Sequence, residues 1–489
     1  MKILDQSLEY FNPKRICFVA FTRRAATEAV TRAADQFNLT QEDLQYFRTL
    51  HSFAFRQLGF SSKEIMSVGD YINVAKSLGL FISYRGIQEE GSFHGQTKGD
   101  RLLFLCNLAR IQCKSIEDIH HEWHLENIPF YELKQMDETI EQYKLDTGKK
   151  DFTDIIRTYI EVGAVPDLDV LFVDEAQDLA PIQWEMVAKL AENAGEVHIA
   201  GDDDQAIFKW AGADVNQFIN LDIGKTTVLD VSYRVPSKVA ACANKVISQV
   251  SNRLKKVWKP RLDLGKAMFI NDPEILDMGT GSWLLLARNT YLLEAYKEIC
   301  LRNGYVFESS TGAPIDPQLL SAIRLWERLR AGKNLTVAQV MQVYEWMSTK
   351  VGVAYGKKTT LKDSDPERIL NISELKREFG LITEDIWHVA LDKISIEQRE
   401  YLLAALKRGE KVDGEARIRI NTIHSVKGGQ ADNVVLYMDM AQRTYAEYKE
   451  NPDDEARVWY VAITRAKSNF YAIYPKTANH YPLDMIIRG

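Results

Sequence analysis

Short apolar runs that end in polar clusters constrain the fold of this chain more than any other feature of its sequence. Residues 170–173 form one such run and are followed directly by Asp174 and Glu175, and residues 197–200 form another, followed by Gly-Asp at 201–202. Continuous hydrophobic runs of this length are typical of buried strands in parallel sheets. Ligands of such sheets bind beyond the carboxyl ends of the strands. The pattern therefore predicts parallel sheets that bring carboxylates to a shared site.

Helical patterns separate these runs along the chain. Further apolar runs stand at residues 16–21, 283–287 and 434–436, and helical periodicity is found, for example, at residues 25–37 and 182–191. Strands that alternate with helices are typical of α/β folds. The predicted fold class is therefore α/β.

Two longer stretches, residues 61–150 and 314–414, are rich in helix formers and poor in strand signals, and we interpret them as helical insertions. A chain of 489 residues is long enough for several structural units. The predicted division is a first core at residues 1–60 and 151–232, a first insertion at 61–150, a second core at 233–313 and 415–489, and a second insertion at 314–414.

Composition excludes several classes of protein. Hydrophobic residues make up 46% and charged residues 26% of the chain, which are ordinary globular values. The net charge is −7, so a nucleic-acid partner would need a local basic groove. The five cysteines include no C-x-x-C pair, which argues against a disulfide framework or a zinc site and predicts a reducing, cytoplasmic setting. No apolar run reaches the ~18–20 residues of a membrane span, so we expect no membrane partner.

The segment LFVDEAQD at residues 171–178 carries the strongest chemical signal. Two adjacent carboxylates at a strand end suit nucleotide hydrolysis, because one can hold Mg²⁺ on the phosphates while the next accepts a proton from the attacking water. On its own, however, an apolar run followed by Asp-Glu is more often a solvated strand end.

A second block, GDDDQAIFKWAGA at residues 201–213, follows the next apolar run. A DE-x-QD motif followed by GD-x-DQ-x-I and an aromatic residue resembles the UvrD/Rep-like helicases of superfamily one. Five further segments resemble motifs of that family in the same order, although the two insertions carry no recognisable motif. These segments are FTRRAA at 21–26, TLHSF at 49–53, SYR at 232–234, TIHSVKG at 422–428 and YVAITRA at 460–466.

The resemblance implies a motor of two RecA-like cores, each with a mainly helical insertion, and with ATP and Mg²⁺ in the cleft between them. It assigns Mg²⁺ binding to Asp174, activation of water to Glu175 and sensing of the γ-phosphate to Gln205. Positive charge that stabilises the transferring phosphoryl group would come from Arg234 and Arg465. Without the motif, Arg465 would be interpreted as a surface arginine paired with a carboxylate.

Two further residues are implied to contact the nucleotide. Tyr233 would stack on the adenine. Gln430 stands where the family commonly has a carboxylate that contacts the nucleotide sugar, and its amide can still form a hydrogen bond with a ribose hydroxyl.

Binding of single-stranded DNA needs aromatic side chains for the bases, and donors and cations for the phosphates. The candidates beside the motifs are Phe21, Thr22, Arg23, His51, Phe208 and Trp210. An aromatic residue near a strand end is more often part of the core, and this alternative stays open for each of them.

Two other groups of residues lie outside the recognised motifs. The basic run at residues 255–261, with Trp258 between its cations, either follows phosphates or forms a solvated face. We expect four histidines of the first insertion to be ordinary surface residues rather than metal ligands, because no cysteine accompanies them. They are His94, His120, His121 and His124.

The phosphate-binding loop Gly-x4-Gly-Lys-Ser/Thr does not occur in the printed sequence. The one Gly-Lys-Thr, at residues 224–226, lacks the earlier glycine and stands between the wrong motifs. Residues 1–11 are interpreted as the end of the helix that normally follows this loop. We therefore expect the first core to be incomplete at its N-terminus, through a late start codon, a split gene or degeneration, and a separate polypeptide could supply the loop.

The predicted function is an ATP-dependent DNA helicase or single-stranded DNA translocase, with 3′→5′ polarity by resemblance. Its partners would be single-stranded DNA and junctions of single- and double-stranded DNA, which the insertions would meet. The alternative is an ATP-independent protein that binds single-stranded DNA or docks a partner. A helicase-nuclease is disfavoured, since few residues follow the last motif.

Overall fold

The computed structural model describes residues 2–83, 97–123, 128–222, 224–310, 312–412 and 414–488. Two sheets dominate the structure, and every strand pairing within each of them is parallel. Helices connect the strands. The predicted α/β class with two cores built on parallel sheets is therefore confirmed.

The first sheet has the strand order β2-β1-β3-β4. Its strands are β1 (Ile16–Ala20), β2 (Phe47–Thr49), β3 (Leu168–Asp174) and β4 (Ala194–Ile199). Ala20 pairs with Asp174, and Val173 pairs with Ile199, so β1, β3 and β4 end at the same edge of the sheet. The helices around this sheet are Lys2–Tyr10, Arg23–Phe37, Leu50–Gln57, Phe152–Val162, Pro181–Ala191 and Val215–Ile219.

Helices make up the regular structure of the first predicted insertion, as far as residues 61–83, 97–123 and 128–150 are concerned. They span Val68–Ser77, Lys98–Ile111, Ile116–Glu122 and Phe130–Thr147. The first three of these helices start at a capping box. In each, the residue before the helix, Ser67, Thr97 or Ser115, forms reciprocal hydrogen bonds with an aspartate three residues later.

The histidines of this insertion are placed only in part. His120 is half-buried, and its Nε2 lies 2.7 Å from the carbonyl oxygen of Ile128. His121 is exposed. His94 and His124 lie outside the described residues.

The second sheet has the strand order β7-β14-β13-β8-β12-β9. The remaining strands of the chain are β5 (Val231–Pro236), β6 (Lys259–Arg261), β7 (Lys266–Ile270), β8 (Trp283–Ala287), β9 (Phe307–Ser309), β10 (Leu335–Thr336), β11 (Ile369–Leu370), β12 (Ile418–Thr422), β13 (Ala431–Tyr437) and β14 (Ala466–Ile473). Strands β5 and β6 form a separate parallel pair. The helices of this region are Ser237–Ile247, Leu293–Asn303, Gln442–Glu450, Pro452–Ile463 and Leu483–Arg488.

The second predicted insertion has its own hydrophobic core, in which Trp326 is fully buried. Its helices span Pro317–Arg330, Val337–Glu345, Lys357–Lys362, Ile372–Phe379, Trp387–Ala390 and Ile396–Arg408. Strands β10 and β11 pair antiparallel between these helices. Strands of two residues each are too short to leave a periodic pattern in the sequence, so this pair was not predicted.

Within the described ranges, none of the helices is both long enough and apolar enough to cross a membrane. All five cysteines are free thiols, and four of them are buried.

Candidate functional site

The carboxylates of the DEAQD segment lie in a tight turn at the end of β3. Asp174 is the last residue of this strand, and Glu175 adopts a left-handed conformation with φ 53° and ψ 39°. A residue with a side chain rarely adopts this conformation, and such strain is commonly held at functional sites. The Nε2 of Gln177 donates a hydrogen bond to Oε2 of Glu175 at 2.6 Å. The turn and this bond together hold the Glu175 carboxylate at the edge of the sheet.

Asp174 is suited to hold a divalent cation. Burial raises the pKa of its carboxyl above the usual value, and the adjacent Glu175 raises it further. A cation would relieve both effects. Among the described residues, no cluster of three or more metal-ligating side chains is found. Mg²⁺ fits such a site, because it usually takes one or two carboxylates and fills its other positions with water and phosphate oxygens.

A second turn, after β4, places Gln205 beside the first. Its amide is held at both ends: Nε2 donates to Oδ2 of Asp202 at 2.7 Å, and Oε1 accepts from Nη2 of Arg465 at 2.7 Å. The backbone N–H of Asp202 in turn donates to Oε1 of Gln177 at 3.0 Å. The two acidic turns of the first core and an arginine of the second core therefore form one connected site.

Two arginines from the second core approach this site. Arg465 is 1% exposed, and its Nε donates to the carbonyl of Val461 at 3.0 Å. Burial lowers the pKa of Arg465 to about 9, and the charge of Arg234 lowers it further. Burial also lowers the pKa of Arg234, whose Nε has no hydrogen-bond partner in the described structure. A buried and a half-buried cation that repel each other would be stabilised by an anion such as a phosphate.

Lys427 crosses the cleft from the second core, and sequence reasoning did not single it out. Its Nζ contacts the Asp178 carboxylate, donates to the carbonyl of Gln205 at 2.6 Å and lies 3.7 Å from Oε2 of Glu175. Burial raises the pKa of Asp178 to about 7, although Lys427 opposes this rise. Both residues belong to recognised motif segments, TIHSVKG and DEAQD, and that membership was the signal available for finding them.

The structure does not bring Tyr233 and Gln430 into contact with these groups. Tyr233 is 87% exposed. The side chain of Gln430 is also exposed, and its backbone carbonyl accepts a hydrogen bond from Arg419 at 3.0 Å.

Three predicted DNA-contacting aromatic residues form a row beside the acidic turns. The ring centroids of Phe21 and Phe208 are 5.4 Å apart, and those of Phe208 and Trp210 are 6.2 Å apart. Nζ of Lys427 lies 5.1 Å from the centroid of Phe208. Lys427 of the second core therefore contacts both the aromatic row and the acidic turns.

Trp210 is partly buried and packs against the hydrophobic core of the first insertion. Its Nε1 is buried without a hydrogen-bond partner in the described structure. The end of this segment also approaches the insertion closely, because a Cβ on Gly212 would lie 2.6 Å from Cγ2 of Ile111. The aromatic row is thus attached to the helical insertion.

The polar candidates for DNA binding have different surroundings. Thr22 caps the helix Arg23–Phe37, since its Oγ1 accepts from the backbone N–H of Ala25 at 3.2 Å. Arg23 is exposed. Burial lowers the pKa of His51 to about 4, so its ring is neutral near pH 7 and offers a donor but no positive charge.

Two family models match the chain. One, described as the UvrD/REP helicase N-terminal domain, matches residues 6–223, and the other, described as the UvrD-like helicase C-terminal domain, matches residues 323–477. Both acidic turns lie within the first match, and Lys427 and Arg465 lie within the second.

Individual relatives share moderate similarity with parts of this chain. The ATP-dependent DNA helicase PcrA of Leuconostoc citreum is 27% identical over 273 residues, which cover 52% of this chain and 36% of that protein. DNA helicase II of Salmonella typhimurium is 41% identical over 98 residues, which cover 19% of this chain and 14% of that protein. The ATP-dependent DNA helicase Rep of Buchnera aphidicola subsp. Schizaphis graminum is 22% identical over 96% of this chain and 88% of its own length. The chain therefore spans well under half of the first two relatives.

Proposed function

Because this chain belongs to the UvrD/Rep-like helicase family, we propose that it is an ATP-dependent DNA helicase or single-stranded DNA translocase with 3′→5′ polarity. One observation carries the proposal: Gln205 of the first core meets Arg465 of the second core at 2.7 Å, beside Glu175. An amide, a buried guanidinium and a carboxylate that converge between two cores suit phosphoryl transfer, which depends on positioning and on fixed charge.

In this proposal each side chain of the cleft has a separate task. Asp174 would hold Mg²⁺, which neutralises charge on the phosphates when bound. Glu175 would orient the attacking water and accept its proton. Arg465 and Arg234 would stabilise negative charge on the transferring group. Gln205, already bonded to Arg465, would report the presence of the terminal phosphate across the cleft.

The aromatic row would carry the DNA. Phe21, Phe208 and Trp210 would stack on successive bases, and each stacked base contributes about 1–3 kcal/mol of binding free energy. Lys427 contacts both Phe208 and the acidic turn. Closure of the two cores around ATP would therefore move the row, and reopening would leave the strand advanced.

ATP hydrolysis by the purified chain, with and without single-stranded DNA, tests this proposal. We expect turnover that the strand stimulates, either from this chain alone or once a polypeptide with the phosphate-binding loop is added. Glu175→Gln should lower that turnover at least about 100-fold, because the carboxylate that accepts the proton is replaced by an amide. Glu192→Gln, at an exposed position on the same core, is the matched control and should leave turnover unchanged.

A chain that binds single-stranded DNA but does not turn over ATP would contradict the proposal for this polypeptide alone. Turnover restored by a second polypeptide that carries Gly-x4-Gly-Lys-Ser/Thr would support a two-chain motor. Strand binding that neither ATP nor such a polypeptide affects would favour the ATP-independent binding protein.

A further inference from the structure

One lysine of the basic run at residues 255–261 neither follows phosphates nor forms part of a solvated face. The side chain of Lys256 is only 15% exposed and lies against the acidic turn after β4. Its Nζ is 2.6 Å from Oδ1 of Asp202 and 3.3 Å from Oδ2 of Asp204, and it also contacts Asp203. Lys256 is therefore engaged by protein carboxylates rather than available for phosphates.

The residues just before Lys256 hold the same turn. Arg253 donates from Nε and Nη2 to the two carboxylate oxygens of Asp204, at 2.7 and 2.5 Å. The backbone N–H of Leu254 donates to Oδ2 of Asp203 at 2.9 Å. Bidentate arginine–carboxylate pairs are strong and directional. Hydrogen bonds and ion pairs thus join the segment at residues 253–256 to the first core. This segment follows the helix Ser237–Ile247 of the second core.

Asp202 links Lys256 to Gln205 in the cleft. One of its oxygens, Oδ1, contacts Lys256, while the other, Oδ2, accepts the 2.7 Å hydrogen bond from Nε2 of Gln205. Burial opposes ionisation of Asp202, yet Lys256 holds the pKa of that carboxyl below its usual value. An ionised Asp202 can only accept, so it binds the donor end of the amide.

The orientation of the Gln205 amide follows from this contact. The two ends of a glutamine amide have similar shapes but opposite hydrogen-bonding character. With Nε2 bound to Asp202, Oε1 is left to accept from Arg465 at 2.7 Å. A reversed amide would place its N–H donors against the guanidinium and lose that bond.

We propose that Lys256 is a positioning residue that keeps the Gln205 amide turned toward Arg465 through a shared carboxylate. This inference rests on the proposed ATP hydrolysis for its functional meaning, and on the described contacts for its structural meaning. The contacts of Lys256 are with the carboxylates of Asp202, Asp203 and Asp204. It acts by holding Asp202 ionised and in place.

The functional test compares Lys256→Met with Lys256→Arg and with Lys255→Met, in which the neighbouring exposed lysine is replaced. Misplacement of a group that contacts the reacting phosphate lowers turnover more than substrate binding. We expect strand-stimulated kcat to fall about tenfold in Lys256→Met with little change in KM. Lys256→Arg should recover much of the loss, and Lys255→Met should match the wild type. An unchanged kcat in Lys256→Met, from a wild type that hydrolyses ATP, would overturn the inference.

A double-mutant cycle on urea unfolding tests the positioning without ATP. Lys256→Met, Gln205→Ala and the double variant are compared with the wild type. The described structure has no direct bond between these two side chains, so coupling between them reports the shared Asp202. We expect the unfolding equilibrium constant of the double variant to differ about fivefold from the product of the single effects. Additive effects would overturn the inference. A wild type without turnover, even with the loop-bearing polypeptide added, would overturn the proposed function, and the double-mutant cycle would then decide the positioning role by itself.

Discussion

Glu175 has a backbone conformation that its position in the fold does not require. Three non-glycine residues of the described chain have a positive φ: Asn38, Cys113 and Glu175. Asn38 caps the end of the helix Arg23–Phe37, and Cys113 closely follows another helix, which are common places for this conformation. Glu175 instead follows a strand. Its hydrogen bond from Gln177 shows what holds the carboxylate there, and strain of this kind is commonly found at functional sites.

Thr22 has a structural role that can be measured apart from DNA binding. Thr22→Ala removes the hydroxyl that caps the helix Arg23–Phe37, so we expect the free energy of unfolding to fall by about 1 kcal/mol. Thr22→Ser should retain the cap. Thr31→Ala, at an exposed position inside the same helix, is the control and should not destabilise the protein. Urea denaturation measures all three, and an unchanged stability in Thr22→Ala would rule out the cap.

His51 should contribute to acid sensitivity. Its pKa is about 4 in the folded protein because of burial, against about 6.5 in an unfolded chain. As the pH falls from 6.5 toward 4, the unfolded state therefore binds a proton that the folded state does not, and the free energy of unfolding decreases. We expect this decrease to be smaller in His51→Gln, as measured by urea denaturation at a series of pH values.

The exposed His121 provides the control, since His121→Gln should leave the pH dependence unchanged. Only part of the decrease should disappear in His51→Gln, because burial also lowers the pKa of His424 far below its usual value. A profile of His51→Gln identical to that of the wild type would contradict the assignment.

The segment at residues 201–213 of the first core contacts both the second core and the first insertion. Its acidic turn contacts the second core through Lys256 and Lys427, and its aromatic end packs on the first insertion through Trp210. Its regular structure consists of two three-residue 3-10 turns, Asp203–Gln205 and Lys209–Ala211. A movement of the second core can therefore reach the aromatic row through a single short segment.

Gly212 allows the close approach between this segment and the insertion. Its φ of +95° disfavours any residue with a side chain, and a Cβ there would lie 2.6 Å from Cγ2 of Ile111. Gly224 is a matched control, with φ +77° and no atom within 4 Å of its added Cβ. We expect Gly212→Ala to lower the free energy of unfolding by at least about 1 kcal/mol more than Gly224→Ala, because it adds overpacking to backbone strain. Equal losses in urea denaturation would contradict the close packing.

At the scale of the molecule, internal ion pairs offset part of the excess negative charge. The chain carries a net charge of −7, yet several of its acidic residues are neutralised internally. Asp203 and Asp204 are buried against Lys256 and Arg253, and Asp178 is buried against Lys427. Internal pairing of this kind reduces the repulsion that a polyanion would otherwise meet near the cleft.

Strand binding should consequently depend on a few exposed cations. Each phosphate contact to single-stranded DNA contributes about −0.7 to the slope of log K against log salt. We expect Arg23→Gln to weaken binding and to make this slope shallower by about 0.7, as measured by fluorescence anisotropy over a salt series. Arg32→Gln, on the same helix, should leave the slope unchanged, because Arg32 already pairs with Asp5 at 2.6 Å. A wild-type slope in Arg23→Gln would remove Arg23 from the interface.

Local sequence information was sufficient for the fold class and for part of the site. Apolar runs that become strands, and periodic segments that become helices such as Arg23–Phe37 and Pro181–Ala191, depend on neighbours in the chain, and both were predicted close to their observed positions. Because parallel strands end at one edge of a sheet, the carboxylates at 174–175 and at 202 were expected together, and their turns are connected through Gln177. Gln205 was assigned to the same site by the family resemblance. Their chemical roles stay predictions.

Other features depend on residues that are far apart in sequence, and they emerged only from the folded structure. Gln205 and Arg465 are 260 positions apart, and no local pattern states which atom of the amide faces the guanidinium. Likewise, the sequence left open whether the basic run follows phosphates or forms a solvated face, whereas packing buries Lys256 against Asp202. The exposure or burial of a side chain is decided by which distant surfaces meet it, so the charge state and orientation of these groups follow from tertiary contacts.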